Sequence, residues 1–257
     1  MENILGLAGL AAASFLAGII NSLAGGGSLL SFPALIAYGQ PALLANATKT
    51  AAVWPGTVSS AFAYRREFPE DRQLVLSLVL SSIAGGLLGA AILVKTPPDL
   101  FMKLTPFLVV FGTSLFAARS WFAKLAAWTM AHPGKRSPAT RVLGALFQLF
   151  VATYAGYFGA GAGMLMLGSF GLLGVTDIHR MNALKTVLAS IMNGIALIYF
   201  IFSGLIVWPL AVLMGAAAMA GGYVGASTAR RMNQRVVQRL IVILGFTASA
   251  WLFCKAY

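Results

Sequence analysis

The chain has 257 residues, 59% hydrophobic and only 9% charged, where a soluble domain carries about a quarter charged residues. That composition excludes a single water-soluble globule and describes an all-α polytopic integral membrane protein. Eighteen Lys and Arg stand against six Asp and Glu, a formal charge of +12, but no RNA-binding signature or zinc-finger spacing accompanies them. Nucleic acid is therefore excluded as a partner, and membrane lipid with loop orientation accounts for the charge.

The first apolar run, 4–22, has no Lys or Arg before it and so lacks the basic lead of a secretory signal; it is read as a retained helix. It runs into "LAGGGSLLSFPAL", where Gly25, Gly26 and Gly27 precede a short apolar segment, 26–39. A third segment, 43–63, opens with "ANATKT". Its Asn46, Lys49 and Thr50 fall at i, i+3 and i+4, one face of a helix, and Thr57 returns close to that face. Trp54-Pro55-Gly56 interrupts the same segment; the proline predicts a kink, with Trp54 and Ser28 lining a cavity. "RREFPEDR" leads to a fourth segment, 73–94, and a fifth follows at 100–122.

After a basic connection at 123–141, read as a cytoplasmic loop, the pattern returns in 142–159, 162–175, 183–203, 207–229 and 236–254. Sliding the chain by 136 residues (182 − 46) aligns 25–104 with 161–240 without a gap. Gly25 and Gly27 meet Gly161 and Gly163, "GGLLGA" at 85–90 meets "GGYVGA" at 221–226, and Asn46, Lys49 and Thr50 meet Asn182, Lys185 and Thr186. A duplication follows, with one repeat at 1–122 and the other at 142–257. Each repeat has five apolar segments, the second a short broken helix after the glycines, which gives about eight to ten membrane segments. The charged connector follows segment three in the first half, whereas the second half has its arginines, Arg230, Arg231, Arg235 and Arg239, between segments four and five. If basic loops face the cytoplasm, the repeats have inverted topology.

Irregular backbone at membrane depth is tolerated where it is buried in protein or lines a wet cavity. Glycines at 25–27 and 161–163 would there offer backbone N–H groups and helix N-termini to an anion. A lysine within a span costs at least a few kcal/mol unless it meets a partner or water. The six carboxylates all fall at or near segment ends, so Lys49 and Lys185 point to a small anionic partner, with Asn46, Asn182, Thr50 and Thr186 as hydrogen-bond donors. Tyr157, beside Tyr154, and Asn193 are further cavity-lining candidates.

Catalysis finds no footing. There is no Gly-x-Ser-x-Gly elbow or Walker loop, His132 and His179 lie in connections, and the lone cysteine, Cys254, excludes a multi-cysteine metal site. No cofactor and no metal is expected. The alternatives to a transporter are an anion channel and a non-transporting accessory subunit.

The glycine-rich "LAGGGSLLSFPAL", then "ANATKT", then a second copy, resembles the TauE/SafE family of anion exporters over nearly the whole chain. That resemblance implies a cell inner membrane transporter working by alternating access. Its substrates would be sulfite, sulfonates such as sulfoacetate, or related organosulfur anions.

Overall fold

A computed structural model describes residues 2–24, 27–63, 71–131, 138–228 and 234–257. Gly25, Gly26, residues 64–70 of the first charged connector, His132, Arg230 and Arg231 lie outside the described residues. Helices follow one another as α1 (Glu2–Ala24), α2 (Ser28–Ala37), α3 (Ala42–Ala63), α4 (Arg72–Lys95), α5 (Pro98–Ala117), α6 (Arg119–Ala131), α7 (Pro138–Tyr157), α8 (Ala162–Phe170), α9 (Ile178–Phe202), α10 (Trp208–Thr228) and α11 (Gln234–Ala256). The protein is an all-α polytopic membrane protein. In a bilayer only a helix or a closed barrel satisfies every backbone N–H and C=O, and these apolar runs take the helical solution.

Eight helices have 20 residues or more, enough at 1.5 Å per residue to cover about 30 Å. Among the described residues Arg72–Lys95, Pro98–Ala117, Ile178–Phe202 and Arg239–Ala256 are both long and apolar enough to cross a membrane. Helix α3 is long enough, but its Asn46, Thr48, Lys49 and Thr50 make it more polar. The helices α2 and α8, of 10 and 9 residues, are the short segments expected after the glycine clusters. Two starts are capped by carboxylates: Leu74 N–H donates to Asp71 Oδ1 at 3.1 Å, and Arg180 N–H to Asp177 Oδ1 at 2.8 Å.

Glycines set the two closest crossings. On α4, Gly85 and Gly89 face the α7 backbone at Leu149, Thr153 and Gly156 while Gly86 faces Met192 of α9, so a methyl group at Gly89 would overlap the Thr153 carbonyl. On the α1–α10 crossing, Gly18 abuts Ala218 and Gly221 abuts Phe15 in the same way. Without a hydrophobic force between helices in lipid, such backbone approach is the main source of packing. The "GGLLGA" and "GGYVGA" motifs thus both sit at close crossings, the first of α4 on α7 and the second of α10 on α1.

The remaining packing has the same cross-wise pattern. Helix α3 packs on α10 as α9 packs on α4, while α3 packs on α9 and α5 on α11. The α5–α11 contacts join Pro106 to Ser249, Phe107 to Phe253 and Thr113 to Gly245, so these two helices run antiparallel. Toward lipid the bundle shows Leu76, Leu80, Phe150, Val212 and Ile243, all exposed, as an apolar solvent permits.

One expectation is corrected. The connection at 123–141 is not a loop throughout, because the boundary at 122 falls inside α6. Its "RSWFAKLAAWTMA" is rich in helix formers, and its basic residues draw attention away from that propensity. Trp121 and Trp128 are exposed while Phe122 and Leu125 face Gly168 of α8, the arrangement of a helix at the membrane interface.

Candidate functional site

The stripe on α3 forms a closed niche. Lys49 is only 3% exposed, and its Nζ donates to Asn46 Oδ1 and to the Phe158 carbonyl oxygen, each at 2.8 Å. Asn46 Nδ2 in turn donates to the Tyr157 carbonyl oxygen at 2.9 Å. The ammonium stands 4.7 Å from the Phe158 ring centroid and 5.8 Å from that of Phe32, and these two rings meet edge to face. Among the described residues no carboxylate takes part. Hydrogen bonds to a charged donor contribute on the order of 1.5–3 kcal/mol each, and a desolvated aromatic face about 2 kcal/mol. Together they offset the cost of a buried ammonium while leaving its charge uncompensated.

The accepting carbonyls come from the end of α7, where the second glycine cluster begins. Gly159 and Gly161 have φ of +84° and +80°, a conformation that glycine adopts without strain. Tyr154 OH donates to the Ala160 carbonyl oxygen at 2.6 Å and so ties this turn to α7. Gly161 then caps α8. In the first half Gly27 caps α2 with an ordinary helical φ of −55°, and its carbonyl accepts from Ser31 Oγ at 3.1 Å.

On α9 the second stripe repeats the local geometry. Lys185 Nζ donates to Asn182 Oδ1 at 3.0 Å, and Thr186 Oγ1 donates to the Asn182 carbonyl oxygen at 2.9 Å, as Thr50 Oγ1 does to that of Asn46. The surroundings differ. Asn182 Nδ2 turns back to the Ile178 carbonyl oxygen in an exposed position, and Lys185 is only partly buried. The lysine's stem lies over α8, where a Cβ at Gly163 would meet its Cδ at 3.3 Å. Arg119 belongs to the stretch from Leu115 to Phe122 that packs on Gly161 and Gly168, and so runs along the same helix.

Asn46, Lys49 and Thr50 thus come together, as do Asn182, Lys185, Thr186 and Gly163. Thr50 and Thr186 spend their hydroxyl protons on their own helices. Trp54 reaches the other half, its Nε1–H donating to the Ser190 carbonyl oxygen at 3.0 Å, and Thr57 Oγ1 donates to the Trp54 carbonyl oxygen at 2.7 Å beside Pro55. Asn193 Nδ2 bonds the Ala189 carbonyl oxygen, while the Tyr157 ring packs edge to face on Phe101 at 5.6 Å. Ser28, half-buried, opens α2. Sequence reasoning missed Phe32, Phe158 and Arg119. Aromatics in an oily chain give no signal of their own, whereas Arg119 has a counterpart, Lys255, at the same offset (255 − 119 = 136).

Comparison with known proteins shows similarity to membrane transporters over nearly the whole chain. The family model described as Sulfite exporter TauE/SafE matches residues 10–252. The probable membrane transporter protein ORF9 of a Sinorhizobium species is 28% identical, covering 93% of this chain and 88% of that protein. A probable membrane transporter protein of Haemophilus influenzae is 26% identical, covering 92% and 90%. The probable membrane transporter protein YfcA of Escherichia coli K12 is 27% identical, covering 95% and 88%. No solved structure gives a significant match.

Proposed function

The chain belongs to the Sulfite exporter TauE/SafE family, and from that premise we propose that this inner-membrane transporter carries small sulfur-containing oxyanions outward. Sulfite and sulfonates are the substrate class. The carrying observation is the twofold occurrence of an Asn-Lys pair on an apolar helix, each lysine bonded to neutral acceptors and, among the described residues, neither to a carboxylate. A positive charge held by dipoles remains available to an anion, whereas one held by a carboxylate is already neutralised.

Alternating access fits the packing. Counterpart helices α5 and α11 run antiparallel, and Trp54 touches Ser190, its own counterpart at the 136-residue offset (190 − 54). Both features support two inverted repeats, at 1–122 and 142–257, related by an axis through the Trp54–Ser190 contact. Each lysine lies five residues before the axial residue of its helix (54 − 49 and 190 − 185). Under the inversion they stand on opposite sides of the crossing, Lys49 occluded and Lys185 open on the cytoplasmic side. Exchanging the two environments would expose the other side.

Uptake of radiolabelled sulfite and sulfoacetate into proteoliposomes tests the reading, with Lys49→Ala and Lys185→Ala beside the parent. Saturable flux lost in both variants is expected. Conductance without saturation or counterflow would indicate a channel, and no flux of any sulfur anion in the parent overturns the assignment.

A further inference from the structure

The two basic residues that close the fifth helix of each half have different fates. Lys255, near the end of α11, donates to the Ile36 carbonyl oxygen at 3.1 Å, at the end of the broken helix α2, and lies 5.2 Å from the Trp251 ring centroid. It is a cation engaged by the fold. Arg119, at the α5–α6 junction, is half-buried, and among the described residues its guanidinium has no hydrogen-bond acceptor and no carboxylate. Asp177 caps α9 and Asp71 pairs with Arg141 at 3.6 Å, so both carboxylates are engaged elsewhere.

Position gives Arg119 its neighbour. Leu115, one turn before it, packs on Gly161, and Phe122, three residues after it, packs on Gly168, so this stretch of chain runs along α8. The Lys185 stem crosses the same helix at Gly163. Two cations thus lie along α8, and among the described residues one has a single neutral acceptor and the other none, both partly open to solvent. A monoanion there would leave one positive charge over. A dianion would neutralise both, and a guanidinium holds an oxyanion through two parallel N–H bonds.

Resting on the transport reading above, we propose that Arg119 and Lys185 form a two-cation clamp that selects small dianionic oxyanions over monoanions. Arg119 is then the specificity-determining residue of the open side, and the Lys49 niche, with its aromatic walls, has no second cation to match it.

Calorimetric titration of the detergent-solubilised full chain tests this, with sulfoacetate as the dianion and methanesulfonate as the monoanion. Sulfoacetate should bind the parent more tightly. In Arg119→Gln its affinity should fall about tenfold or more, the loss of one charge-assisted contact, while methanesulfonate changes less than about twofold. Arg119→Lys should keep most of the preference, and Lys255→Gln should keep both affinities. An equal fall for both anions, no fall for either, or no sulfoacetate binding by the parent overturns the clamp. Arg119-dependent binding without flux in proteoliposomes sinks the transport reading and leaves the clamp standing. Flux indifferent to Arg119 does the reverse.

Discussion

The Trp54 indole N–H donates to the Ser190 carbonyl oxygen at 3.0 Å across the α3–α9 crossing, and the ring lies so close to Gly194 that a Cβ there would approach Nε1 to 2.8 Å. Trp54→Phe keeps most of the ring and removes the donor. The expected cost is about 0.5–1.5 kcal/mol, seen as a fall of about 2–4 °C in melting temperature in detergent. Gly194→Val must displace the indole and should cost more, with loss of flux. If both variants melt with the parent, the crossing is not the packed contact described.

The glycine crossings make a sharper stability test. Gly89→Ala and Gly221→Ala each set a methyl group into a neighbouring carbonyl, at Thr153 and Phe15. Neither carbonyl can swing away as a flexible side chain can, so each change should cost about 1–3 kcal/mol. Gly9→Ala is the control, because nothing lies within 4 Å of its added Cβ and alanine is the better helix former. Equal melting temperatures for all three variants would contradict the close α4–α7 and α1–α10 approach.

Much of this was legible in the sequence, because apolar length decides a membrane helix and a gap-free offset ties Lys49 to Lys185. The broken helices were visible as short runs after glycine. The fate of the lysines was not, since Lys49 donates to the main-chain oxygen of Phe158 and its neighbour Asn46 to that of Tyr157, both supplied by an element more than a hundred residues away. Periodicity along one helix carries no information about such a carbonyl. The α6 helix escaped for another reason: its charges resemble those of a loop, while its tryptophans and Phe122 belong to an interface.

Asp177 lies outside the membrane and predicts a pH dependence. The Arg180 backbone N–H, with that of His179 and the nearby charges, holds its carboxyl below the usual range. Its contribution to stability is therefore present above the ordinary carboxylate pKa of about 3.9 and disappears as pH falls through the lower folded value. Asp177→Ala should melt below the parent from pH 7 to pH 5, and the gap should begin to close only below about pH 4, vanishing once pH has fallen through the lowered folded value. A gap that is constant across the whole range would mean that the carboxylate does not cap α9.

Lys49→Met separates stability from function. Methionine matches the lysine stem in volume, so the space beside Phe32 and Phe158 stays filled, while the buried charge and its two cation–π contacts are removed. The change leaves the Phe158 carbonyl and Asn46 Oδ1 without a donor, on the order of 1–3 kcal/mol each if dry. Against that stands relief from burying an ammonium with no counter-ion, itself several kcal/mol. The terms are close, so the melting temperature should stay within a few degrees of the parent. Flux should nevertheless fall at least about tenfold, because the charge that draws the anion through the occluded side is gone. A Lys49→Met protein that transports normally would reduce this lysine to a packing element, and one that fails to fold would show that its hydrogen bonds outweigh the burial of its charge.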